Sequence, residues 1–287
     1  MEPVVKAFFD ELTSTVTYVV NDPAGMVCAI IDPVLGFDQA SGRTSTSSAD
    51  KAIEYISEKG FEVAWILETH AHADHLSAAQ YIKRKTGGKT GIGRYITTTQ
   101  AIFKDIFNIG DEFKPDGTQF DSLFDDGDEL ELGTIKIRVM HTPGHTPACI
   151  TYLVGDAAFV GDTLFMPDFG TARVDFPGGD AATLYRSIQR IFKLPTETRM
   201  FMCHDYKAPG RDQYAWETSV AEQRTSNIHV HEGISEQEFI EFRIQRDAKL
   251  GLPKLILPSI QINIRAGNMP PADDNGVVYL KLPVDAL

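Results

Sequence analysis

At 287 residues, 43% hydrophobic and 23% charged, the chain has the composition of an ordinary globular protein long enough to bury a sizeable core. Its formal net charge of -13 leaves no general basic surface for phosphate backbones, so nucleic acid is not an expected partner. No apolar run approaches the roughly 20 residues that cross a bilayer, and Met1-Glu2-Pro3-Val4-Val5-Lys6 lacks the order of a secretion signal, so the expectation is a cytoplasmic protein away from membranes.

In chain order, Thr15 to Val20 is β-branched and aromatic, Asn21-Asp22-Pro23-Ala24-Gly25 turns, and Met26 to Ile31 returns, which predicts a hairpin. Ser41 to Ser48 reads as a loop before a helix starting near Asp50. Val63 to Leu67 is a buried strand that stops at Thr69-His70-Ala71-His72-Ala73-Asp74-His75. A helix carrying Leu76, Ala79, Tyr81 and Ile82 follows, with Lys83-Arg84-Lys85 near its end and Gly87-Gly88 as its stop. Strands are expected at Ile135 to Met140, Cys149 to Val154, Ala157 to Val160 and Arg199 to Cys203, and a helix from Ala181 to Phe192. Ser235-Glu236-Gln237-Glu238 is a capping box for a helix ending near Gly251, and Ile260 to Ile264 alternates like a strand. Strands in groups with helices between them suggest two packed sheets with helices outside. Cys28, Cys149 and Cys203, odd in number and without CxxC spacing, read as small buried side chains in a reducing compartment.

Six of the eight histidines lie in or beside four short motifs at strand ends: His70, His72, His75, His141, His145 and His204. His70 and His72 alternate by two, so in an extended segment they point to one side. His141-Thr142-Pro143-Gly144-His145-Thr146 presents His145 from a tight turn, Gly161-Asp162-Thr163 places a carboxylate after an apolar strand, and Cys203-His204-Asp205-Tyr206 closes the set. Each motif alone has a structural explanation. Together they make a metal site, because neutral imidazole and carboxylate are the usual ligands of zinc and iron.

These four motifs, in this order, resemble the metallo-β-lactamase superfamily, and the resemblance covers nearly the whole chain. It implies an α/β fold, an αββα sandwich of two mixed sheets with outer helices. We take 1–287 as one such domain, with 233–287 a helical and extended C-terminal extension. Gly170-Thr171-Ala172-Arg173-Val174-Asp175-Phe176-Pro177-Gly178-Gly179, Thr183-Leu184-Tyr185 and the tail Leu257 to Gly267 are similar to the persulfide dioxygenase branch. Here Thr171 and Ala172 stand between Gly170 and Arg173, where the mitochondrial form has Gly and Arg adjacent.

What the branch implies is one ferrous iron per chain held by His70, His145 and Asp162. Two histidines and one carboxylate leave about three positions open, which suits ferrous oxygenases. The implied substrates are glutathione persulfide and dioxygen, with sulfite and glutathione as products. Arg173, Tyr206, Lys207 and Arg265 are the candidates for holding glutathione. His72, Asp74, His75 and His204 are either a supporting shell that orients ligands or positions for a second metal. A homodimer enters only through the resemblance. Two alternatives stay open: a dizinc hydroxyacylglutathione hydrolase of the glyoxalase II type, and a non-catalytic metal-binding or redox-sensing module.

Overall fold

The β-branched start folds as an antiparallel pair, β1 (Val4–Asp10) and β2 (Thr15–Asn21), and the turn after it returns the chain as β3 (Val27–Ile31). This is a computed structural model, and it describes residues 2–286. There follow β4 (Val34–Asp38), β5 (Arg43–Ser45), α1 (Ser47–Lys59), β6 (Glu62–Leu67), β7 (Leu76–Ser77), α2 (Ala79–Thr86) and β8 (Lys89–Gly93). Next come α3 (Ile96–Ile106), β9 (Ser122–Phe124), β10 (Glu129–Leu132), β11 (Ile135–His141), β12 (Ile150–Val154) and β13 (Ala157–Phe159). The chain ends with α4 (Ala181–Ile191), β14 (Arg199–Phe201), β15 (Glu217–Ser219), α5 (Val220–Ser226), α6 (Glu236–Asp247) and α7 (Ile256–Asn263).

Two six-stranded sheets result, ordered β1-β2-β3-β6-β8-β9 and β10-β11-β12-β13-β14-β15, with β5-β4-β7 as a small third sheet. The period-2 alternation of strands decides what each sheet face meets. Tyr18, Val20, Ala29 and Ile31 point inward against Ile137, Val139, Ile150 and Tyr152 of the other sheet. Their neighbours Val19, Cys28 and Ile30 face outward onto Ala52 and Ile56 of α1 and Ile82 of α2. On the far side Ala158 and Met200 meet Leu184, Ile188 and Ile191 of α4 and Phe239 of α6. That is the expected αββα layering. At roughly 1.5–3 kcal/mol for each large apolar side chain taken out of water, these three layers hold the strand ends where the site is built.

The capping box is present: Ser235 Oγ accepts from Glu238 N, and the Glu238 carboxylate accepts from Ser235 N at 2.8 Å. All three cysteines are free and buried. Three expectations are corrected. Ser41 to Ser48 is not all loop, since it holds β5 and the start of α1. Leu76 is not helical: Leu76–Ser77 pairs with Val34 and Leu35, and the helix begins at Ala79. The alternating segment Ile260 to Ile264 is not a strand but lies in and just after α7. Alternation misleads there because α7 is buried on every side, polar Gln261 and Asn263 included, so it marks no single face.

Candidate metal centre

Every motif leaves a strand at the same edge of the sandwich. The segment 68–75 follows β6 of the first sheet, while His145, Asp162 and His204 follow β11, β13 and β14 of the second. The two sheets are stitched together here by Ile150 N donating to Thr69 O at 3.0 Å and by a bridge between Thr15 and His204. Two glycines permit the close approaches. Gly144, at φ 141°, packs so tightly on α4 that a Cβ would stand 2.3 Å from Leu184 Cα. Gly161, at φ 52°, lies where a Cβ would meet Thr69 Oγ1 at 2.6 Å. His145 and Asp162 are thus presented from turns that only glycine permits.

His70, His145 and Asp162 come together: Asp162 Oδ2 is 3.9 Å from His70 Nε2 and 3.8 Å from His145 Nε2. His72, Asp74, His75 and His204 form a second set, their donor atoms all within 4.8 Å of one another. Asp162 stands between the sets, because its Oδ1 is 3.3 Å from His204 Nε2, which is equally 3.3 Å from Asp74 Oδ2. His141 stays outside, with Nε2 on Pro147 O and its ring stacked on Tyr95.

Each imidazole is aimed by its outer nitrogen. His145 Nδ1 donates to the Arg173 carbonyl at 2.8 Å, His75 Nδ1 to Leu76 O at 3.2 Å, and His204 Nδ1 to Ser14 O at 3.3 Å. Thr69 Oγ1 gives its hydrogen to Asp32 Oδ2, so it accepts from His70 Nδ1 at 3.0 Å. His72 is turned the other way: Nε2 donates to Asp32 Oδ1 at 3.0 Å, with Glu68 Oε2 at 3.3 Å. In all five rings the inner nitrogen faces the cluster, and in the neutral ring it carries the lone pair. His72 Nδ1, His75 Nε2, His204 Nε2 and Asp162 Oδ1 are buried with no hydrogen-bond partner at all. Orphaned buried acceptors converging on one spot are costly unless a cation satisfies them. The residues fit a metal centre.

Electrostatics agree. Burial, then the neighbouring imidazoles, push His70 well below the usual histidine range, and burial takes His75 down to about 3. Burial also raises Asp162 above the usual carboxylate range. For His72 burial opposes the charge, but Asp32 and Glu68 outweigh it and lift the ring well above 6.5. A cation at His72 Nδ1 must displace that proton.

Asp32 and Glu68 carry no mark in the motifs, yet they are the buried carboxylates behind the cluster. Asp32 accepts from Thr69 N at 2.7 Å, Thr69 Oγ1, His72 Nε2 and Cys203 Sγ. The available signal was a lone acid straight after the apolar run Cys28 to Ile31. The glutathione candidates are scattered. Tyr206 stacks on His204, with its hydroxyl 3.5 Å from Asp74 Oδ2. The Arg173 guanidinium forks onto Asp175 and also donates to Gly251 O. Lys207 Nζ sits over the Tyr214 ring, and Arg265 lines a separate cavity of about 450 Å³ with Gln261, Tyr279 and Lys281. None of the described helices is long and apolar enough to cross a membrane.

Comparison with known proteins places this geometry in context. The family model described as "Metallo-beta-lactamase superfamily" matches residues 10–204. A probable metallo-hydrolase of Burkholderia pseudomallei is 53% identical over 99% of both chains, and a protein named glyoxylase B2 of Dictyostelium discoideum is 49% identical over 97% of this chain and 96% of its own. The human mitochondrial persulfide dioxygenase ETHE1 is 28% identical over 93% of this chain and 90% of its own. The crystal structure of ETHE1 from Myxococcus xanthus superposes with a TM-score of 0.72 at 31% identity, covering 92% of this chain and all of that one.

Proposed function

This chain belongs to the metallo-beta-lactamase superfamily, and we propose that within it the protein is a persulfide dioxygenase acting on glutathione persulfide, with dioxygen and water as co-substrates and sulfite and glutathione as products. The observation that carries the reading is the trio His70, His145 and Asp162, two imidazole lone pairs and one carboxylate converging within 4.8 Å. That donor set suits ferrous iron with about three positions left open. Likeness to two ETHE1 proteins along most of the chain supports it. Ferrous iron bound there supplies the redox chemistry that adds oxygen to sulfur.

The chain's own residues orient and recognise. The Arg173 carbonyl and Thr69 hydroxyl hold the His145 and His70 rings with Nε2 inward. Asp32 and Glu68 hold His72. Tyr206, 42% exposed beside His204, is the best placed to donate a hydroxyl to the glutathione part. Arg173 reaches a glutathione carboxylate only by exchanging Asp175 for it, and its fork geometry suits that exchange. Lys207 and Arg265 are weaker candidates because neither lies against the cluster.

One observation favours a second reading, a dinuclear thioester hydrolase: His72, Asp74, His75 and His204 form a complete additional ligand set, and a relative carries the name glyoxylase B2. The two readings separate on one preparation. Protein purified anaerobically is analysed for metal, then assayed for oxygen uptake on glutathione persulfide and for hydrolysis of a glutathione thioester. About one iron per chain with persulfide-dependent oxygen uptake is the expected result. Two zinc ions per chain, with thioester hydrolysis and no oxygen uptake, overturns the dioxygenase.

A further inference from the structure

The helix α7 lies beyond residue 204, where the family match ends, yet it reaches the metal cluster through one side chain. Asn263, 4% exposed, makes three hydrogen bonds to the segment carrying His72, Asp74 and His75. Its Nδ2 donates to the carbonyls of His72 and His75, both at 2.8 Å, and its Oδ1 accepts from Ser77 N at 2.8 Å. One amide therefore spans the bend between two ligand residues and pins its exit. Residues 69–75 form no helix or strand of their own, so this bend depends on side chains for its shape.

Ser77 closes the circuit. Its hydroxyl donates to Glu68, whose other oxygen lies 3.3 Å from His72 Nε2, and it accepts from Ala79 N at 3.0 Å. The backbone of His72 is thus fixed by Asn263 and its ring by the hydrogen bond to Asp32, with the Glu68 carboxylate that Ser77 holds lying beside the same ring nitrogen. Gly267 continues the close approach: a Cβ there would stand 3.0 Å from Ser77 O.

We propose that Asn263 is a positioning residue of the metal centre, through which the C-terminal helix sets the bend that holds His72, Asp74 and His75 beside the site formed by His70, His145 and Asp162. The inference rests on the metal cluster and not on the choice of sulfur substrate. It predicts that metal affinity is written partly outside the motif-bearing region.

Gln261 supplies the internal control. On the same helix it also makes three hydrogen bonds, to Leu257 O, Lys281 O and Lys281 N, none of them to the metal segment. Asn263→Leu and Gln261→Met each remove three such bonds with little change of volume. Zinc-loaded full-length protein is challenged with a competing chelator, and thermal unfolding is followed in parallel. Asn263→Leu is expected to weaken zinc retention by about 10- to 100-fold, while Gln261→Met retains zinc like the wild type although its melting temperature also falls. Wild-type retention in Asn263→Leu, or equal zinc loss in both variants, overturns the proposal. If Asn263→Leu does not fold, the smaller truncation Asn263→Ala carries the test: it removes the same three hydrogen bonds, so zinc retention at the wild-type level in that variant also overturns the proposal.

Discussion

Two buried polar clusters flank the segment 170–174, and they resemble each other in everything but function. Around Arg243, Nε and Nη2 fork onto Asp247, Nη1 donates to Thr171 O and Oγ1, Asp247 Oδ2 accepts from Val174 N, and His229 Nδ1 accepts from Thr171 N. Arg243 is 1% exposed, as buried as His70. Yet no side-chain atom of Arg243, Asp247, Thr171 or His229 is left buried without a partner, whereas the histidine cluster leaves four such atoms on His72, His75, His204 and Asp162. Burial and charge are common to both. What distinguishes the metal centre is lone pairs with nothing to accept, and that difference gives each cluster its own failure mode.

The sharpest break comes from Asp162→Asn, which keeps the shape but removes the one charge shared by both ligand sets. Metal affinity is expected to fall at least about 100-fold, beyond the loss typical of supporting residues, and turnover with it. Elemental analysis after dialysis checks the loss. Because burial raises Asp162's pKa, the metal-free variant should melt no lower than metal-free wild type. In the closed cluster the pattern reverses: Arg243→Met leaves Asp247 buried without its ion partner and should cost about 3–5 kcal/mol. Denaturant unfolding measures that cost while metal content stays at the wild-type level. Metal loss in this variant would show the clusters to be coupled through the Arg173 carbonyl on His145.

Titration also separates them. Burial holds His229 at about 3, so the folded ring stays neutral while the unfolded ring protonates below its ordinary 6.5. The unfolded state then binds more protons, and stability falls as pH drops from about 6.5 towards 3, by about 1.4 kcal/mol per pH unit from this group. His229→Asn keeps an acceptor for Thr171 N and should flatten the acid limb of metal-loaded protein by that slope. An unaltered slope would assign the acid limb to other groups.

The four ligand motifs were legible in the sequence because His and Asp are common metal donors and here each group of them directly follows an apolar strand. The inter-sheet core was legible too, since the β-branched runs around Val16, Ile30 and Ile137 have few alternatives to strand. Asp32 and Glu68 were not, because a single acid after an apolar run looks the same whether it caps a turn or anchors a histidine. Nor was α7: Ile260, Ile262 and Ile264 alternate with Gln261 and Asn263, and only the fold reveals that those amides have backbone partners waiting. Arg173 was legible as a cation but not as one already forked onto Asp175.

The division of ligands between the sheets has a mechanical consequence. His70, His72, Asp74 and His75 extend from one sheet, and His145, Asp162 and His204 from the other. A cation gripping both is a rivet through the sandwich, and stripping it leaves one seam to be held by the Ile150–Thr69 hydrogen bond and the Thr15–His204 bridge. Amide hydrogens along that seam should then exchange first, while those under α1 and α4 keep their protection.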